Sequence, residues 1–133
     1  MANKYHNNRK YVYKLCDKLV RDDLKKVRKK SKGIGKRLTN GIKAARSRPS
    51  TFEKLYIPHD EYEYWLDENQ IVLRKMKLIE HGQDWRLLFA QLKKQPKTIA
   101  LFSIFPRANN YNICWEWLRN TLETHYLPEE TWD

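Results

Sequence analysis

The chain has 133 residues, 41% hydrophobic and 13% aromatic, with a formal net charge of +11. That length suits one domain with a real core, and the aromatic content excludes disorder throughout. The charge is split, because residues 1–52 hold 17 Lys/Arg against 3 Asp/Glu while residues 53–133 hold 10 against 13; so lopsided a distribution gives nothing to a core and points to a polyanionic partner.

Residues 1–8 read as a polar, flexible tail. From about Arg9 to Lys30, Val12, Leu15, Cys16, Leu19, Val20 and Val27 recur at helical spacing with Lys14, Asp17, Lys18, Arg21 and Lys25 opposite, which predicts an amphipathic helix ending near Gly33. Residues 35–46 suggest a second, short helix weakened by Gly41, and "SRPST" breaks it. Residues 9–50 therefore form a basic helix and a glycine-containing arm, and residues 51–133 a helical globular domain, within a single domain overall. "TFEKLYI" (51–57) reads as a short strand or an irregular crossover.

The clearest helical pattern runs from Asp60 to His81. Asp60 is placed to cap it, Glu63 completes a capping box and Gly82 ends it. One face carries Tyr62, Trp65, Leu66, Val72, Leu73, Met76 and Ile79, and the reverse face carries Tyr64, Ile71 and Leu78 spaced by sevens. An element apolar on two sides must be covered on two sides, by the bundle or by a partner. A further helix is expected from Asp84 to about Lys94, with Trp85, Leu88, Phe89 and Leu92 on one face. "TIALFSIF" (98–105) is either a buried strand pairing with 51–57 or a short buried helix. The last helix is expected over 112–126, followed by an acidic tail containing Trp132. The fold class expected is mostly α, a small bundle of four to five helices, with α+β as the alternative should 51–57 pair with 98–105.

The N-terminus lacks the apolar core of a secretory signal, and the longest apolar run is too short for a bilayer, so a cytoplasmic or other reducing compartment is expected and membrane association is not. Cys16 and Cys114 read as buried thiols.

The stretch "KKVRKKSKGIGKRLTNGIKAARSR" (25–48) holds eleven Lys/Arg and no acid. Lys and Arg that neutralise phosphates release counterions, which gives salt-sensitive and sequence-blind affinity. Lys25, Lys26, Arg28, Lys29, Lys30, Lys32, Lys36, Arg37, Lys43, Arg46 and Arg48 are therefore the candidate nucleic-acid-binding residues; the competing reading is a merely solvated face. Within it, "GIGKRLTNGI" (33–42) resembles the second half of a helix-hairpin-helix motif. The resemblance implies a hairpin turn at Gly33, Ile34 and Gly35 that offers backbone N–H groups to a DNA phosphate, with Ile42 packed behind it. A flexible linker is the other reading of the same glycines.

His59, Asp60, Glu61 and Glu63 admit a metal or acid–base reading, but acids at a helix start complement its dipole, and that reading is preferred. His6, His81 and His125 stand alone, no nucleophilic constellation or Walker loop is present, and no cofactor is expected. Tyr5, Tyr11 and Tyr13 interleave with Lys4, Arg9, Lys10 and Lys14 as base-stacking residues do. Trp65, Trp85 and Trp117 are assigned to the core; Tyr64, Ile71, Leu78, Trp115 and Trp132 are the candidate protein-interface anchors. The resulting expectation is a non-enzymatic nucleic-acid-binding protein, RNA favoured, whose helical body docks on a larger ribonucleoprotein-like assembly. The alternatives are a protein-binding regulator or inhibitor of a nucleic-acid-handling complex and a small metal-dependent nuclease.

Overall fold

The computed structural model describes residues 11–15, 18–30, 32–94, 97–107 and 115–125. Its elements in chain order are β1 (Val12–Leu15), α1 (Lys18–Lys30), α2 (Lys32–Ser47), a single 3-10 turn (Pro49–Thr51), β2 (Glu53–Lys54), α3 (Asp60–Glu68), β3 (Ile71–Glu80), β4 (Gln83–Leu92), β5 (Thr98–Pro106) and α4 (Trp115–His125). The strands form one sheet in the order β1-β5-β4-β3-β2, in which β1 runs parallel to β5 and the other neighbours are antiparallel. The fold is α+β, and the helical bundle expected from the sequence is not formed.

The misread elements lie in the centre of the sheet. The helix expected over 60–81 stops at Glu68, and Asn69 and Gln70 lead into β3; the helix expected over 84–94 is β4. Between them His81 (φ 40) and Gly82 (φ 80) make a two-residue turn with both central residues at positive φ, closing Glu80 onto Gln83. Such turns match the right-handed twist of the flanking strands, and glycine enters the left-handed region without steric cost. Residues 98–105 are a strand, but β5 pairs with β4 and β1, while β2 pairs with β3, so the 51–57 to 98–105 pairing is not made. The N-terminal helix ends at Lys30 as expected but begins only at Lys18, preceded by β1, and Gly33, expected to act as its stop, lies inside α2.

The helical hairpin α1–α2 is no detached arm. Leu24 and Val27 of α1 and Ile34, Leu38, Ile42 and Ala45 of α2 are buried in the same core cluster as Met76, Leu78, Leu87 and Phe89. The α2 residues recur at the four- and three-residue steps that keep one helical face against the sheet. At about 1.5–3 kcal/mol per fully buried large aliphatic side chain, Ile34 and Leu38 alone anchor the helix firmly. Gly41 permits the seat, because a Cβ there would run into the Met76 thioether.

On β3, Arg74, Met76 and Leu78 share one face while Ile71 and Leu73 point to the other, and all five are buried. The strand is thus covered on both sides, with Leu66 of α3 and Leu118 and Leu122 of α4 also buried. Ile71 and Leu78 are core residues at 2% and 1% exposure and are not available as interface anchors. A buried polar relay ties the sheet together: Arg74 donates through Nε to Gln91 Oε1 (2.8 Å) and through Nη1 to the Phe52 carbonyl (2.8 Å), and Gln91 Nε2 donates to the Tyr11 hydroxyl (3.1 Å). Burial pulls the Arg74 pKa below its ordinary value, yet every partner in the relay accepts from it or passes the chain on, so the charge is not orphaned.

Replacing Leu78 by alanine is expected to cost about 2–5 kcal/mol of unfolding free energy, as a cavity in a packed core does. Tyr64→Ala, at an exposed helix position, stays within roughly 0.5 kcal/mol. Chemical denaturation of the two variants distinguishes core from surface directly.

Candidate nucleic-acid interface

The inner faces of α1 and α2 are apolar, so their cations are forced outward. On α1, Arg21, Lys25, Lys26, Arg28, Lys29 and Lys30 are exposed around the arc opposite Leu24 and Val27. Arg28, Lys29 and Lys30 occupy the last turn, where the helix dipole favours positive charge. On α2, Lys32, Lys36 and Lys43 lie at spacings of four and seven and are exposed, away from Ile34, Leu38 and Ile42. Arg48 is exposed just beyond the helix. The two helices pack on each other, which brings these two sets of exposed cations close together, with Asp22 and Asp23 of α1 also partly exposed.

Two of the eleven candidate cations have internal work. Arg37 Nε lies 2.6 Å from Glu80 Oε2 and ties α2 to the end of β3. Arg46 Nε donates to the Tyr11 carbonyl (2.9 Å) while the Tyr11 N–H donates to the Arg46 carbonyl (2.8 Å), stitching α2 to the approach of β1. For Lys25, Lys26, Arg28, Lys29, Lys30, Lys32, Lys36, Lys43 and Arg48, no carboxylate among the described residues comes within 4.0 Å. Lys30 instead stands over the Trp85 ring, with Nζ 5.9 Å from its centroid.

The helix-hairpin-helix turn is not present. Gly33, Ile34 and Gly35 are helical residues in the first turns of α2, and Ile34 and Ile42 both face the sheet core. Tyr11 serves the buried relay and packs against the core, with Lys97 Nζ 5.7 Å from its ring. Tyr5, His6, Cys16, Cys114 and Trp132 lie outside the described residues.

A second cationic group, not recognised from the sequence, lies on the sheet: Lys75, Lys77 and Arg86 share a face, with Lys77 and Arg86 register partners. Two carboxylates partly offset its three charges. Glu53 meets Lys75 (3.2 Å) and Lys77 (3.8 Å), and Asp84 meets Arg86. The short alternation "KMKL" (75–78) is the signal that places these lysines on a strand.

Of the remaining interface anchors, Tyr64 is 67% exposed, and its hydrogen bond to Glu68 raises its pKa. Trp115 packs against the core, with its ring 6.0 Å from Tyr62 in a stacked arrangement. Trp65 and Trp85 also pack on the core, whereas Trp117 is 38% exposed and so lies at its margin. A cleft of about 630 Å³ between α3 and α4 holds Tyr64 and Trp65, with the Arg119 guanidinium 5.1 Å from the Trp65 ring, and its charged lining is balanced, Lys94 and Arg119 against Glu61 and Glu68. His59 is the N-cap of α3, without a side-chain cap bond, and Asp60, Glu61 and Glu63 fill its first turn; Asp60 is thus the first helical residue and not the cap. No group of three or more His, Cys, Asp or Glu among the described residues is placed to hold a metal ion, and no helix among them is long and apolar enough to cross a membrane. Comparison with protein-family models, curated proteins and solved structures gives no match for this chain.

The Arg37 guanidinium, hydrogen-bonded to Glu80, holds that carboxyl below the usual glutamate range. A depressed carboxylate pKa contributes stability that is complete above the ordinary glutamate pKa and is lost as pH falls through the lowered one. Glu80→Gln is therefore expected to reduce the acid sensitivity of unfolding in that window and to leave the slope near neutral pH unchanged. Denaturant midpoints measured across the acid range check this, and an NMR titration of Glu80 in Arg37→Gln should return its pKa upward.

Proposed function

We propose that this protein is a non-catalytic nucleic-acid-binding protein that grips the phosphate backbone with the outer face of the α1–α2 hairpin, RNA being the favoured polymer. The observation that carries the reading is the surface of nine exposed cations on a fixed helical scaffold without carboxylate partners among the described residues. Such a surface repels itself unless a polyanion or counterions compensate it. Its rigidity favours backbone binding, since the α2 cations keep their spacing while Ile34, Leu38 and Ile42 hold the inner face. RNA is placed ahead of DNA because no DNA-reading motif is formed at the GIG segment. The opposite side of the molecule, with Tyr64 and Trp117 exposed, is the side we assign to docking on a larger assembly.

The test is salt dependence. Anisotropy titrations with labelled RNA and DNA should give log affinity falling linearly with log salt, by roughly 0.7–0.9 per phosphate contact. Changing Lys25, Lys29, Lys32 and Lys36 together to glutamine should flatten that slope by about one contact per effective lysine, with the fold retained. Lys75→Gln with Lys77→Gln should leave it unaltered, since Glu53 already occupies them. Binding that is absent, or indifferent to salt, overturns the proposal.

A further inference from the structure

Where the last turn of α1 approaches the β3–β4 turn, the surface opens into a pocket of about 510 Å³ lined by Lys30, Gln83, Asp84, Trp85, Pro106 and Arg107. This volume falls in the range of small-molecule sites. Its chemistry is specific. Trp85 is half-buried and packs against the core on one side, while the pocket opens beside it on the other. The indole is fixed, because Nε1 donates to Gln83 Oε1 at 3.1 Å, and Pro106 is its neighbour across the β4–β5 pair. The carboxylate at the rim, Asp84, is taken up by Arg86. That leaves Lys30 and Arg107, both exposed, as the cations facing the opening.

A tryptophan assigned to a core has apolar neighbours on both faces. Here one side of the indole meets a cation-lined cavity that joins the phosphate-binding surface through Lys30. The Lys30 ammonium, 5.9 Å from the ring centroid, sits at the outer limit of a cation–π contact, so an incoming flat group displaces it at small cost. We propose that this pocket receives one unpaired nucleobase of a single-stranded nucleic acid, stacked on Trp85, with the flanking phosphates on Lys30 and Arg107. The inference rests on the phosphate-binding reading above and adds to it a preference for unpaired strands, since a base inside a duplex cannot present its face to the indole.

The experiment compares single-stranded and duplex RNA of equal length against the wild-type protein and Trp85→Leu, which keeps an apolar side chain and removes the aromatic face. Stacking on one aromatic contributes about 1–3 kcal/mol. Single-strand affinity should accordingly drop roughly 5- to 150-fold, with duplex affinity and both salt slopes unchanged. Equal losses for both polymers, or no loss for the single strand, overturn the pocket. Should Trp85→Leu fail to fold, photo-crosslinking of the wild-type protein to RNA carrying 5-iodouridine decides: an adduct at Trp85 supports the site, and adducts confined to α1 and α2 overturn it. An unchanged single-strand affinity with steep salt dependence removes this pocket alone, whereas wild-type binding without salt dependence removes the phosphate-binding reading itself.

Discussion

The seat of α2 on β3 is the constraint from which the surface chemistry follows. Ile34, Leu38, Ile42 and Ala45 commit one face of the helix to the core, and Gly41 lets the backbone close on Met76. Once that face is fixed, the remaining positions have no freedom: Lys32, Lys36 and Lys43 must project outward, and α1 is held beside them. The ends of the helix are pinned by two different devices, the Arg37–Glu80 pair near its start and the reciprocal backbone and side-chain bonds between Tyr11 and Arg46 near its end. An array of positive charge on a loop would spread to relieve its own repulsion. Here the apolar inner face prevents it, and the repulsion is carried as a cost of the folded state.

The protein sorts its cations by location. Those on the sheet are given partners from short local neighbours, Glu53 for Lys75 and Lys77 and Asp84 for Arg86, and buried Arg74 is enclosed in hydrogen bonds. Most of those on α1 and α2 are left to solvent, Arg37, Arg46 and Lys30 being the ones that meet Glu80, the Tyr11 carbonyl and the Trp85 ring. Because charge on exposed side chains is screened over about 8–10 Å at ordinary ionic strength, only near neighbours on that surface feel one another strongly, and a flexible polyanion following the helices can answer them one by one.

The sequence was read well where a helix has a single covered side and poorly where a strand has two. The last helix, expected over 112–126, is α4 (Trp115–His125), and the charge asymmetry is visible without any structure, whereas the segment forming α2 reads as a weak short helix or a flexible linker because Gly41 and a short apolar stripe blur its pattern. The pattern over residues 60–81 was taken for one helix covered on two sides. The inference of two-sided covering was sound, but the period was wrong: Ile71 and Leu73 serve one face of β3 while Met76 and Leu78 serve the other, and together with Leu66 of α3 they imitate helical stripes. The turn signal lay in "HG", two residues between long apolar runs, which is compatible with a helix end as much as with a hairpin. The candidate cations were legible as a group, but the internal tasks of Arg37 and Arg46 were not, since their partners Glu80 and Tyr11 are distant in sequence. Trp85 is assigned to the core by its spacing, and it does pack there; that Lys30 and Arg107 line a pocket beside it depends on contacts remote in sequence.

The parallel pairing of β1 with β5 joins Val12–Leu15 to residues 98–101, which bind a strand near the beginning of the chain to one synthesised long afterwards. Closing so large a loop is entropically slow, and non-local pairings of this kind lengthen folding times. During synthesis the β3–β4 hairpin is available before β5 emerges, so the N-terminal strand waits without its neighbour while the hairpin ahead of it is already complete. The finished sheet is bounded by short strands, four residues in β1 and two in β2, which makes both of its edges poor templates for pairing with other chains.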